Sequence, residues 1–324
     1  MAKILFTCLA VLVLITGCIK DRPTTQPVPD YPDSVYFKAE GTGKSEPEAR
    51  GQALAEMSRI FESEVFSNTY DRAVEIIDST GNGASRGNME SYIRVVSSVK
   101  LEGARIGRTW FDNERGTYRA LAVLDRHQAG ENWQGEIKDI DNKIEGEYMA
   151  LDAGNSKFMK LQSLMKILDL WVERESRVSR LRVIGLNYTS VGSYDIKRAF
   201  YMVPQIKADL LVFLKITGEH ANEMEGILSA ALNKAGFKLS DERNKADVLI
   251  TGNIEAGPVD LKKPGWEFAR ARLSLTIMDA VTGSIAGELS ENERAGQLTY
   301  PEAVHKAVNK IAETASDKLL EYFQ

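Results

Sequence analysis

The 324-residue chain predicts an α+β protein: two small α/β sandwich-type modules joined by an antiparallel helical hairpin, behind an N-terminal export segment and a proline-rich tether. Three observations predict it. Residues 35–126 and 182–324 each mix period-two apolar alternation with capped, helically spaced apolar stripes. Residues 127–181 show only steps of three and four, and residues 1–34 show no core-forming pattern at all. A hydrophobic fraction of 43%, with 27% charged residues and 9 prolines, is ordinary globular composition with room for two cores.

The N-terminus reads MAKILFTCLAVLVLITGC: one cation at Lys3, an apolar run from Ile4 to Ile15, then small residues at Thr16 and Gly17. That is the layout of a signal peptide over residues 1–17. Its run makes roughly 18 Å of helix at 1.5 Å per residue, short against a hydrocarbon core of about 30 Å, so a permanent spanning helix is the weaker reading. Ile15-Thr16-Gly17-Cys18 stands where an ordinary secretory site has A-x-A, and it resembles the lipobox of bacterial lipoproteins. The plainer alternative is a signal peptide with a chance cysteine. The resemblance implies a diacylglycerol on the sulfur of Cys18, cleavage before it, and acylation of the new amine with a palmitate-type chain. Several acyl chains anchor far more firmly than one, at roughly 0.8 kcal/mol per buried methylene. Cys8 leaves with the signal peptide and Cys18 is lipidated in this reading, so no disulfide remains.

Residues 18–34 hold the lipidated Cys18 and a disordered tether containing Pro23, Pro27, Pro29 and Pro32. A proline-rich spacer extends at about 3.1 Å per residue, placing the folded part up to about 50 Å from the bilayer. In lipoproteins, Asp directly after the lipidated Cys favours inner-membrane retention. Ile19 occupies that position here, which implies the outer membrane, periplasm-facing.

In the first module, apolar alternation from Val35 gives way to Ser45-Glu46-Pro47-Glu48, a capping box that predicts a helix from Glu46. Ala49, Ala53, Met57, Ile60 and Phe61 form its apolar stripe. Segments 90–102, 104–112 and 117–125 are rich in Val, Ile, Tyr and Trp and predict strands, the last two separated by a turn at Asn113-Glu114-Arg115-Gly116. A β-α-β-β module over residues 35–126 follows. Gly43-Lys44-Ser45 imitates the end of a phosphate-binding loop, but Lys38 stands where that pattern needs glycine, so a tight turn before a capped helix is the better reading. Ala39-Glu40-Gly41-Thr42-Gly43-Lys44-Ser45, with Glu48, Ala49, Ala53 and the later Tyr118 to Arg126 run, resembles the LPP-twenty family of bacterial envelope lipoproteins. The resemblance covers about residues 36–126. It implies a membrane-associated antigen or a part of envelope and flagellar assemblies, and brings no catalytic residues with it.

Trp133, Ile137, Ile140, Ile144, Tyr148 and Leu151 form one helical seam, stopped at Ala153-Gly154-Asn155. Ser156 then caps a second helix whose stripe is Phe158, Leu161, Met165, Leu168 and Val172. So short a loop makes the pair antiparallel over 127–181. It serves either as a spacer or oligomerisation arm, or as a hairpin packed on a core of the same chain.

The second module begins with a buried strand at 208–216 and a helix carrying Met224, Ile227, Leu228, Ala231 and Ala235, with Gly236 suited to the left-handed position after its end. Strands follow at 247–254 and through Ala269, Ala271, Leu273, Leu275 and Ile277, whose partner begins after a Thr282-Gly283 turn. Thr299-Tyr300-Pro301-Glu302 repeats the capping chemistry before a final helix with Val304, Ala307, Val308, Ile311, Ala315, Leu319 and Tyr322 on its apolar face. Ala246 to Ile254, with the later Met278-Asp279 and Thr282-Gly283, is similar to α/β modules of curli-secretion lipoproteins and of lipoprotein activators of penicillin-binding proteins, over about residues 206–322. Ser284-Ile285-Ala286-Gly287 is small where those modules have a bulky polar-aromatic stretch, a departure that weighs against a shared partner.

Loss of Lys3 with the first 17 residues leaves 40 basic against 46 acidic side chains, a net −6 that argues against nucleic acid as a partner. His127, His220 and His305 are widely spaced in sequence, and no H-E-x-x-H or cysteine pair at ligand spacing exists. The sequence therefore predicts no metal, no cofactor and no catalytic residues. The Lys262-Lys263 pair beside Trp266 reads as a solvated hairpin loop or, alternatively, a contact to lipid headgroups or a partner. Expected partners are the membrane, through lipid on Cys18, and other envelope proteins. The function expected is a non-enzymatic outer-membrane lipoprotein acting as scaffold or accessory factor in envelope or appendage (flagellar or export) assembly. Alternatives are an activator docking on a peptidoglycan synthase and an outward-displayed adhesin or antigen.

Overall fold

The computed structural model describes residues 30–80, 86–98, 101–153, 156–190, 192–261 and 263–323. Ile15, Thr16, Gly17 and Cys18 lie outside the described residues, as does most of the tether. Among the described residues, eight strands in two sheets and seven α-helices make an α+β protein.

The first sheet contains β1 (Tyr36–Gly43), β2 (Arg105–Asp112) and β3 (Thr117–Asp125), antiparallel in the order β1-β3-β2. Helix α1 (Glu46–Thr80) lies on one face of it. The box before α1 forms with a twist: Glu48 N–H donates to Ser45 Oγ at 3.4 Å, while the Glu48 carboxylate accepts from Lys44 N–H at 2.8 Å, one residue earlier than expected. Ala49, Ala53, Met57 and Phe61 are buried against Ala39, Ala120, Ala122 and Leu124. Small residues at this contact bring strand and helix backbones together; a Cβ on Gly41 would lie 2.1 Å from Ala53 N.

The described residues of segment 90–102 form no strand. Residues Arg86–Ser97 form helix α2, with Ile93 fully buried, Val96 nearly so and Val95 exposed to 66%. Its β-branched residues suggest a strand, yet Met89, Tyr92, Ile93 and Val96 repeat at helical spacing against α1 and α4. That packing overrides the weak local preference.

Helices α3 (Arg126–Ala153) and α4 (Lys157–Val183) form the expected antiparallel hairpin, and the Ser156 side chain caps α4 by accepting from Met159 N–H at 3.0 Å. The hairpin is not a free arm. Trp133, Ile137, Val178 and Leu181 at one end pack into the apolar cluster under the first sheet, whereas Ile140, Ile144, Leu161 and Leu168 join a second, larger cluster. Helix α1 spans the same two clusters, Ala49 to Val65 in the first and Ala73 to Ile77 in the second.

Helix α5 (Ile196–Asp209) was hidden by Pro204 in its interior and is capped by Asp195, which accepts from Lys197 and Arg198 N–H. It runs to Asp209, so the strand expected at 208–216 is shifted and becomes β4 (Leu211–Gly218). Helix α6 (Ala221–Lys234), β5 (Lys238–Leu239), β6 (Val248–Pro258), β7 (Glu267–Asp279), β8 (Ile285–Gln297) and α7 (Tyr300–Glu321) complete the chain. The second sheet has the order β5-β4-β6-β7-β8, parallel at β5-β4 and β4-β6 and antiparallel beyond. Along β7 every second residue from Ala269 to Ile277 is buried beneath α7, and Ser274 and Arg272 between them face solvent. Thr299 takes the extended cap conformation before α7, but its side chain makes no capping hydrogen bond, so that box is incomplete.

Candidate functional site

Buried polar groups collect where the two apolar clusters meet. Thr69, Ser97, Arg174, Glu175, Ser176, Ser179 and Arg180 are all buried, mostly on one stretch of α4. Removing such groups from water is costly unless each finds a partner. Thr69 and Ser179 hydroxyls share a hydrogen bond of 3.1 Å, and the Val96 carbonyl, at the C-terminal end of α2, accepts from Ser176 and Arg180. Burial, together with the nearby Arg177, lowers the Arg180 guanidinium to about 10.

A polar cleft of about 490 Å³ opens onto this waist between α1, α4 and the 188–196 connection. Arg174 lies at its base. Its Nε donates to Asp141 at 2.7 Å, one terminal nitrogen to Glu175 at 2.9 Å and the other to the Ser190 carbonyl at 2.8 Å. Asp141 also accepts from the Tyr194 hydroxyl at 2.6 Å. Burial and that hydrogen bond push the Tyr194 phenol well above its ordinary range. The network is committed inward: the arginine pins the connection to α4, the aspartate accepts two donors, and the phenol is further from ionisation than a free tyrosine. This is a clamp rather than an acid–base pair.

One carboxyl titrates closer to neutrality. Burial, with Glu173 one turn away, pushes Asp169 up to about 6. It lies on α4 near Tyr92, whose hydroxyl donates to Glu173, and does not line the cleft. The histidines are brought together further than their spacing suggests: His305 Nδ1 lies 2.8 Å and His220 Nδ1 3.7 Å from the Glu223 carboxylate, joining α6 to α7. His127 is exposed beside Glu131. Among the described residues no group of three or more His, Cys, Asp or Glu side chains is placed to hold a metal.

A second feature lies where the tether meets the fold. Tyr31 closes on the edge strand β2, its hydroxyl donating to the Gly107 carbonyl at 3.1 Å and its ring meeting Tyr36 edge-on at 5.1 Å. Asp33 pairs with Lys38, and Arg126 donates to the Asp33 carbonyl, so residues 31–33 are packed on the sheet. The β2 bulge between Ile106 and Arg108 turns Arg108 and Trp110 onto the face away from α1, beside Leu121 and Arg119. Both guanidiniums approach the Trp110 ring, Arg108 at 4.8 Å and Arg119 at 5.4 Å from its centroid. The sequence shows these residues only as strand formers; which face they share depends on the bulge, which it does not signal.

No helix among the described residues is long and apolar enough to cross a membrane. No family model matches the chain, and no curated protein does. Among solved structures, similar ones include bacterial lipoproteins and secreted proteins at low identity. A secreted protein of Helicobacter pylori is 16% identical, with 89% of this chain and 97% of that chain covered, at a TM-score of 0.39. A lipoprotein of Caulobacter crescentus is 14% identical over 38% of this chain and 93% of its own, at 0.28. The rare lipoprotein B of Shewanella oneidensis is likewise 14% identical, over 34% and 91%, at 0.26. At these TM-scores the likenesses carry no argument about function, and the LPP-twenty resemblance is matched by no family model.

Proposed function

We propose that the chain is a non-enzymatic lipoprotein of the outer membrane, periplasm-facing, that serves as a scaffold or accessory factor in envelope or appendage assembly. The observation that carries this is Ile15-Thr16-Gly17-Cys18 directly after a short apolar run, followed by a proline-rich spacer. The folded part supports the reading through how its polar groups are spent. The buried charges of the waist hold helices and a connection in place, Asp169 does not line the cleft, and the Glu223 pairs join two helices. The outward side of the second sheet, with Arg272 and Ser274 exposed, offers surface for other envelope proteins.

Cross-linking in intact cells followed by purification of the adducts tests the role. Flagellar or export components in the adducts support it. A peptidoglycan synthase as the principal adduct would replace it with the activator reading, and cleavage of the chain by protease added to whole cells would replace it with outward display.

A further inference from the structure

The two sheets leave unlike faces open. On the second, the central outward positions of β7, Arg270 to Thr276, are polar, with Arg272 and Ser274 exposed. On the first, Leu121 and Val123 are exposed to only 5% and 1% although among the described residues they belong to neither helix-covered apolar cluster; the long side chains of Glu40 and Arg108 stand opposite Leu121 on the flanking strands, and those of Lys38 and Arg105 opposite Val123. This cover is cationic at its outer edge. Lys38 pairs with Asp33, and Arg119 with Glu40 and Asp112. Arg105 and Arg108 meet no carboxylate among the described residues; each instead approaches an aromatic ring, Arg105 that of Tyr31 at 5.8 Å and Arg108 that of Trp110 at 4.8 Å. Guanidiniums held over Tyr and Trp rings, with apolar stems beneath, match a lipid–water boundary, where cations meet phosphate and aromatic rings sit at headgroup depth.

Position supplies the second argument. Tyr31 is packed on this same edge strand, so the chain leading back toward Cys18 leaves the fold beside the two free arginines. Tyr31 stands thirteen steps along the chain from Cys18, about 40 Å at full polyproline extension. A lipid on Cys18 therefore holds this face within a few tens of ångströms of the bilayer, where even a weak contact is favoured by the high local concentration.

We propose that the open face of the first sheet, centred on Arg105, Arg108 and Trp110, docks on anionic phospholipid headgroups of the membrane that carries the anchor. Arg105 and Arg108 engage the phosphates, and Trp110 settles at the boundary between headgroups and acyl chains. Docking then orients the chain, with the second sheet turned to the periplasm. The proposal takes its proximity from the anchor reading, but the face's affinity for anionic lipid stands or falls separately.

The test uses the mature chain, residues 18–324, coupled through the Cys18 thiol to a maleimide lipid, which supplies the tether whether or not cells acylate that residue. Trp133 and Trp171 are buried, with 5% and 3% exposure, and Trp266 is exposed to 38%. Trp266→Phe therefore leaves Trp110 as the tryptophan open to a quencher. Vesicles of phosphatidylglycerol and phosphatidylethanolamine with a nitroxide on a fraction of the headgroups should quench its emission, and phosphatidylcholine vesicles with the same nitroxide should quench it far less. Each cation near an anionic surface is worth about fivefold in binding. Arg105→Glu with Arg108→Glu should therefore cut the docked-to-free ratio by at least about twentyfold. Arg105→Gln with Arg108→Gln, which adds no charge beside Glu40 and Asp112, should show a loss of the same direction if the reversed pair fails to fold. Equal quenching on both vesicle types, or quenching unchanged by both double variants, overturns the proposal.

Discussion

Replacing Gly41 by alanine and Gly51 by alanine applies the same chemical change ten residues apart and should move stability in opposite directions. A Cβ on Gly41 would stand 2.1 Å from Ala53 N, 2.5 Å from Ala49 O and 2.6 Å from Gln52 C, all backbone atoms of α1. No rotamer change relieves that overlap, so β1 must lift off the helix by about 1 Å. The lift loosens the contact that buries Ala39, Ala49 and Ala53. Overpacking ordinarily costs about 1–3 kcal/mol, and a clash with backbone on three sides belongs at the top of that range. Gly51 sits in the second turn of α1 on its exposed side, and a Cβ there meets nothing within 4 Å. Alanine at that position should stabilise by about 0.8–1 kcal/mol through helix propensity. Urea unfolding followed at 222 nm, with Trp133 and Trp171 emission reporting on the two apolar clusters, measures both. A Gly41→Ala protein within about 0.5 kcal/mol of the parent would refute the packing of β1 on α1 described here.

Other consequences are as specific. The folded-state pKa of Asp169, about 6, lies above its ordinary 3.8, so the folded chain holds that proton more tightly than the unfolded one. The resulting penalty is absent below about pH 4, grows as pH rises through 6, and is complete above it. Two units correspond to about 3 kcal/mol at most, which residual solvent contact reduces to about 1–2 kcal/mol. Asp169→Asn should stabilise by that amount at pH 7.5 and leave stability at pH 3.5 nearly unchanged, as thermal unfolding at the two pH values would show. Ser156→Ala removes the cap of α4 and a donor to buried Asp279, and should cost about 2–3 kcal/mol in the same urea assay. Although burial raises the Asp279 carboxyl, hydrogen bonds from Ser156, Thr282 and Val281 hold it below its ordinary range. Stability from that group is complete above pH 4 and falls as pH drops below it, so the Ser156→Ala loss should shrink in acid. Arg174→Met should release the 188–196 connection, seen as faster amide exchange there than at Val172 or Leu181.

Much of this architecture is legible in the residues because period and punctuation agree. The hairpin shows in unbroken steps of three and four from Trp133 to Leu151 and from Phe158 to Val172, and β7 in alternation from Ala269 to Ile277. The failures have identifiable physical origins. Ile93, Val95 and Val96 carry a β-branched signature that packing against two helices overrides, and Pro204 conceals α5, which tolerates it. The waist was out of reach because its members come from α1, α2, α3, α4 and the connection before α5; Arg174 beside Glu175 looks like a solvated pair until the fold closes over them. Likewise, 85 positions separate His220 from His305, and only the packing of α6 against α7 brings both to Glu223. The tether-end face depends on the β2 bulge, which decides the side to which Arg108 and Trp110 turn.

The proposed place of the protein in the cell rests on the proposed acylation of Cys18, and feeding cells an alkyne-bearing fatty acid measures it directly. The parent chain should take up the label and sediment with outer-membrane fractions, while Cys18→Ser should take up none and leave that fraction. An unlabelled parent, or an unlabelled Cys18→Ser chain that still sediments with the membrane, contradicts the lipid anchor.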